Sequence, residues 1–281
     1  MTLPIHDHTQ GASMAVQIAP ELELVATTPL LQVTGLTMSY GTGDSENKIL
    51  SDLNLDVNDG EFVSIVGPSG VGKTTLLRVL SGLIKPRSGT VSVGGEAIRG
   101  PHRDLAVVFQ DYSRSLMPWM TTLENVAFPL QGRGIGKKER NATAEKNLAA
   151  VGLAGQGHKY PWEMSGGMQQ RVAIARALAY NAKVLLMDEP FASVDAQTRF
   201  DLEDLVIDLQ SNLGVTIILV THDIDEALYL ADRVIVLAEK PATVVDVIET
   251  GFGDHRDQVE TKADPRFAEA RARILHRLRK H

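Results

Sequence analysis

Apolar positions recur along the chain at two spacings, and the places where the spacing changes mark out its elements. From Leu31 to Tyr40 they alternate with polar residues. The segments 49–57 and 61–66 likewise alternate or run apolar. Alternation puts one face of a strand in a core, while a continuous run suits a strand buried on both faces. Asp59 and Gly60 lie between the second and third segments as a tight turn. Helical spacing is expected over 76–83, a strand and turn over 89–95, and a further apolar strand over 105–110, which Gln110 ends. From about 112 to 170 the chain is rich in helix formers, Gly punctuation and charges such as Lys137, Lys138, Glu139 and Arg140. This stretch predicts a helical subdomain inserted into an α/β core. Buried-type strands resume at 184–187 and 215–220 around a helix over 197–212, and late strands follow at 233–237 and 243–248. Residues 265–280 carry a basic amphipathic helix, read as a packed surface helix rather than a membrane-surface element. The expected organisation is a flexible tail over 1–30, one domain over 31–250 and a helical extension over 251–281.

Composition narrows the function classes. At 281 residues, with 43% apolar and 22% charged residues, the chain can bury a sizeable core and matches ordinary globular proteins. A formal charge of -7 argues against a general nucleic-acid binder, which needs a basic face. Without cysteine there is no disulfide framework and no thiolate metal site. No apolar run approaches the roughly 20 residues of a spanning helix, and no secretory signal is visible, so a membrane role must come through a partner. His6 and His8 lack two further ligands and read as part of a solvated tail.

Four segments carry chemistry. Gly67-Pro68-Ser69-Gly70-Val71-Gly72-Lys73-Thr74 has the form G-x-x-x-x-G-K-T between an expected strand and an expected helix. Such a loop turns successive N–H groups inward to cradle phosphate oxygens, and the helix adds its positive end. Lys73 would reach the outer phosphates and the Thr74 hydroxyl would bind Mg²⁺. A buried strand ends on Asp188 and Glu189, where ligands sit in open α/β sheets. Asp188 suits the Mg²⁺ side, and Glu189 could orient an attacking water; a solvated strand end is the alternative. Ser165-Gly166-Gly167 opens a helical run, either as an anion site or simply as a capped start. His222 follows a strand and could contact a terminal phosphate or be structural. Tyr40, before Gly41, could stack on an adenine ring or pack at the core edge.

Together these residues resemble the ATP-binding subunit of an ABC transporter over about 31–245. By that likeness Tyr40 is the adenine-stacking aromatic, Gly67 to Thr75 the Walker A loop, Gln110 the Q-loop and 164–171 the signature sequence. Walker B ends at Asp188, Glu189 is the hydrolytic glutamate, 193–195 the D-loop and His222 the switch histidine. Met164 and Met168 stand where the family most often has Leu and Gln, and Met fills either space. The segments 108–111, 116–119 and 123–126, and the run from Asp264 to Leu275, further resemble the branch importing nitrate, sulfonate, taurine and bicarbonate. The implied fold is α/β: a P-loop NTPase core of ABC ATPase type with an antiparallel β subdomain and an inserted helical subdomain.

The resemblance implies an ATPase that lies peripherally on the cytoplasmic face of the cell membrane and energises a transporter. Two chains, identical or homologous, would pair head to tail, each ATP lying between one chain's P-loop and the other's Ser165, Gly166, Gly167 and Asp195. Glu189, His222 and Gln110 would serve hydrolysis, and Thr74, Gln110 and Asp188 the Mg²⁺. Transmembrane permease subunits and, indirectly, a substrate-binding protein complete the system, without nucleic acid. Three alternatives remain at this point: the energising subunit of an exporter or cell-division complex, a non-transport ABC ATPase, and a P-loop kinase or GTPase. The last would leave the Ser-Gly-Gly helix start and His222 unexplained.

Overall fold

The computed structural model describes residues 28–41, 43–111, 115–253 and 255–279. His6, His8 and most of the expected tail lie outside these residues, as do Tyr112, Ser113 and Arg114. Two sheets organise the rest. The smaller is antiparallel, in the order β2 (Asn47–Val57), β1 (Leu31–Tyr40), β4 (Ser88–Val93), β5 (Glu96–Ala97). The larger has six strands in the order β10 (Thr243–Glu249), β9 (Arg233–Ala238), β3 (Phe62–Val66), β8 (Thr216–Thr221), β7 (Val184–Asp188), β6 (Leu105–Val108). Its strands run parallel except for β10 at the edge.

Every residue of β3, β7 and β8 is buried, as their largely apolar sequences allow, with Ser64, Asp188, Thr216 and Thr221 the polar exceptions. Alternate residues serve two cores. Val63, Ile65, Leu186 and Ile218 meet β1, β2 and helix α1 (Lys73–Leu80), while Phe62, Val66, Leu185, Met187 and Leu219 meet the helices on the other face. Each such aliphatic side chain contributes roughly 1.5–3 kcal/mol by leaving water.

Between β6 and β7 stand α2 (Thr122–Gln131), α3 (Lys137–Ala150) and α4 (Gly166–Ala179). Thr121 and Glu124 form a reciprocal capping box that starts α2. Val126, Leu130, Ala144, Leu148, Val151 and Val172 join these helices to one another and to the sheet. After β7 come α5 (Ala196–Leu213), β8, α6 (Ile224–Leu230), β9 and β10, then α7 (Glu260–Ala263) and α8 (Pro265–Arg279). The basic residues of α8 are largely spoken for: Arg271 pairs with Asp225, and Arg273 and Arg277 with Asp246. Phe267 and Ile274 on its inner side are fully buried, as expected of a packed surface helix. Among the described residues no helix is long and apolar enough to cross a membrane.

Two expected elements shift their bounds. Helix α1 begins at Lys73, not at 76, because its first turn, Lys73-Thr74-Thr75, is polar and carries no apolar period. It stops at Leu80, where Gly82 at φ 73° turns the chain so close to Gly100 that a Cβ would meet its carbonyl oxygen at 2.1 Å. The strand expected over 105–110 leaves the ladder after Val108, and Gln110 follows two residues beyond its end.

Candidate active site

The register of the parallel sheet assembles the site. Val66 pairs with Thr221, Asp188 with Val220, and Val108 with Met187, so four neighbouring strands end level. At about 4.8 Å per strand, the loops that follow span roughly 14 Å. Into that width come the P-loop after β3, His222 after β8, Asp188 at the end of β7 with Glu189 just after it, and Gln110 after β6. Ligand crevices of open α/β sheets lie at such carboxyl ends.

The loop over 67–72 is fixed by close packing. A Cβ on Gly67 would meet the Leu237 carbonyl oxygen at 2.6 Å, and one on Gly72 would meet Ile49 and Leu50 at 2.8 Å. Gly72 also caps α1 at φ 118°, a conformation glycine tolerates far better than other residues, and its carbonyl accepts the Leu76 N–H at 2.8 Å. Val71 is buried beneath the loop, while Pro68, Ser69, Gly70 and Thr74 face solvent and Thr75 is half-buried. Lys73 crosses the loop, donating to the carbonyls of Gly67 at 2.8 Å and Pro68 at 3.3 Å. Burial lowers its pKa, and the nearby carboxylates of Glu189 and Asp188 oppose that shift.

Across from Lys73, the Thr74 hydroxyl donates to Asp188 Oδ1 at 3.4 Å. Burial and the neighbouring Glu189 raise the Asp188 pKa, opposed by Thr74, Arg78 and Lys73. A hydroxyl and a carboxylate side by side are hard oxygen donors of the kind Mg²⁺ takes, since that ion keeps several waters and needs few protein ligands. The residues present therefore fit the ion.

Glu189 is the meeting point of distant segments. Its backbone holds φ 44°, which is uncommon for a residue with a side chain, while its N–H donates to the Val220 carbonyl at 2.8 Å. Its Oε2 accepts from Gln110 Nε2 at 3.2 Å and lies 3.0 Å from His222 Nδ1. Residues 110, 189 and 222 thus share one carboxylate oxygen. Tyr40, 43% exposed, ends β1 beside Gly41.

The second half-site stands on helix starts. Ser165 caps α4 by accepting the Met168 N–H at 3.3 Å, and Ser165 and Gly166 are exposed. Gly167 is buried against Thr198, whose methyl would lie 2.3 Å from an added Cβ. Asp195 caps α5, accepting from the Thr198 N–H at 3.0 Å and hydroxyl at 2.7 Å, which lowers its pKa. The two exposed caps, Ser165 and Asp195, are therefore packed as one unit through Gly167 and Thr198.

Two residues near this centre carry no signal in the sequence pattern: Arg199, one turn into α5, and Glu226 in α6. Only the contact of Arg199 with Asp223, 3.5 Å away, and the burial of Glu226 to 5% exposure reveal them.

Comparison with known proteins agrees with this geometry. Residues 50–192 match the family described as "ABC transporter". The nitrate transport protein NasD of Klebsiella oxytoca is 42% identical over 252 residues, covering 88% of this chain and 95% of its own. The taurine import ATP-binding protein TauB of Yersinia pestis is 40% identical over 250 residues, covering 88% and 96%. A solved ATP-binding cassette, dimeric and in a post-hydrolysis state with ADP and Pi, superposes with a TM-score of 0.69 at 34% identity. It covers 78% of this chain and 98% of its own. The chain belongs to the ABC transporter family, with the P-loop NTPase fold of its cassettes, and is an ATP-binding subunit whose ATPase activity is coupled to transport.

Proposed function

We propose that this chain energises import of a small anion of the nitrate, sulfonate, taurine or bicarbonate type through ATP-driven closure of a dimer. The convergence of Gln110, Glu189 and His222 beside the P-loop, with the caps Ser165 and Asp195 left exposed, carries the reading. One copy of each half-site per chain means that two chains related by a two-fold axis form two whole sites.

In each site Tyr40 stacks on the adenine, and the loop from Gly67 to Thr75, with Pro68, Ser69, Gly70, Val71, Gly72, Lys73 and Thr74, holds the phosphates. Thr74, Asp188 and Gln110 hold Mg²⁺, which when bound neutralises phosphate charge. Glu189, held by Gln110 and His222, orients the attacking water, and His222 contacts the γ-phosphate. Ser165, Gly166, Gly167 and Asp195 of the other chain close over the same phosphate, and its cleavage releases them. The unit that does this spans 31–250, with 112–170 as its helical subdomain and 251–281 as an extension. It works peripherally at the cytoplasmic face of the membrane, on permease subunits supplied by a substrate-binding protein.

Deleting the chain from its own cell should abolish uptake of one labelled anion of this set. Wild-type chain should restore that uptake and Glu189→Gln should not. Restoration by Glu189→Gln would remove Glu189 from the chemistry, and unchanged uptake of all four anions in the deletion strain would remove the import reading.

A further inference from the structure

Behind the Glu189–His222 pair lies a recess of about 60 Å³ whose walls include Glu189, Arg199, Thr221, His222, Asp223 and Glu226. One water needs about 10–15 Å³ by this measure, so the recess has room for a few. Two buried polar atoms on its wall lack protein partners, Glu226 Oε1 and Arg199 Nε. Buried polar groups in native proteins nearly always find a partner, protein or water. The Thr221 hydroxyl accepts the Asp223 N–H at 3.0 Å and lines the recess together with the Glu226 carboxyl. Arg199 Nη1 lies 3.5 Å from Asp223 Oδ2. From α5, Glu203 also faces Glu226; it accepts from Gln258 Nε2 at 2.9 Å and lies 3.8 Å from Lys262 Nζ.

We propose that Glu226 and Arg199 are positioning residues for hydrolysis. They hold ordered water in this recess and through it fix His222 and Glu189, so the placement of α5, capped by Asp195, is felt at the hydrolytic pair. The carboxyl does so as the neutral acid, able to donate as well as accept. Burial pushes Glu226 up to about 8, with Glu203 and Asp223 adding repulsion, opposed by the Thr221 hydroxyl and Arg199. Once ionised it would bring a further carboxylate against Asp223 and Glu203, in competition for the one guanidinium, and could no longer donate. Hydrolysis therefore loses its alignment as pH rises through about 8.

The inference rests on Glu189 and His222 being the hydrolytic pair. Its test is kcat and KM for ATP of the full-length chain from pH 6.5 to 9.5. Wild type should lose about tenfold in kcat between pH 7 and 9, as expected when only the neutral form works, with KM unchanged. Glu226→Gln, which stays neutral, should lose less than threefold over the same range. Arg199→Gln removes a charge that favours the carboxylate, so it should lower kcat and move the alkaline midpoint upward. Coincident wild-type and Glu226→Gln profiles, an unmoved midpoint in Arg199→Gln, or effects on KM instead of kcat would overturn the proposal. Full hydrolysis by Glu189→Gln would instead remove the underlying reading of the site. A stalled Glu189→Gln beside unaltered Glu226 and Arg199 profiles would remove this inference alone.

Discussion

In the proposed site Lys73 is the side chain whose removal tests phosphate recognition most simply. It is buried, held by two carbonyls of its own loop, and faces Asp188 and Glu189. A charge-assisted hydrogen bond is worth roughly 1.5–3 kcal/mol, and each 1.4 kcal/mol is about tenfold in affinity. Lys73→Ala should therefore weaken ATP binding about ten- to a hundredfold, read by titration with a fluorescent nucleotide. Unaltered affinity would take Lys73 out of the site. At this scale the sequence was informative where a residue type has a narrow use. Lys73, Thr74, Asp188 and Glu189 follow from a glycine loop and a strand end. Arg199 and Glu226 could not be read, because their significance lies in partners contributed by separate elements and in atoms left without one.

Elements are where apolar spacing has its greatest reach and its clearest failure. The runs at 62–66, 184–188 and 216–221 announce central strands because both faces are buried. The start of α1 escaped because its first turn, Lys73-Thr74-Thr75, is polar and carries no apolar period. Strand order and level ends also stayed hidden, since pairing of β3 with β8 depends on residues 155 positions apart. Packing of α5 against α6 has its own consequence for stability. Glu226 has a folded pKa of about 8 against an ordinary 4.5. Between those values the folded chain keeps a proton that the unfolded chain has lost, so stability falls as pH rises through this window and levels off above it. At roughly 1.4 kcal/mol per pKa unit, the cost at pH 7 is on the order of 3 kcal/mol. Glu226→Gln escapes it. Its melting temperature should exceed that of wild type by a margin that widens from pH 5 to 8 and then holds. A margin constant over that range would mean the carboxyl titrates normally.

For the whole molecule, the two exposed caps joined through Gly167 and Thr198 form the second half-site that, in the proposed dimer, one chain offers to another. Swinging the open–closed balance from 1:99 to 99:1 takes about 5.5 kcal/mol. Two phosphate clusters engaged at roughly 1.5–3 kcal/mol per charged hydrogen bond can supply that. Closure should thus depend on nucleotide and on the cap of α4 together, and cleavage should reverse it. The central claim is that the triphosphate is shared between chains. Its most direct test is the sedimentation mass of Glu189→Gln with ATP and Mg²⁺, alone and with Ser165→Arg added. The single variant should double from 30.5 kDa with two ATP per dimer, while the double variant should bind ATP equally well and stay monomeric. A single variant that binds ATP yet remains monomeric, or a double variant that still pairs, would contradict the account.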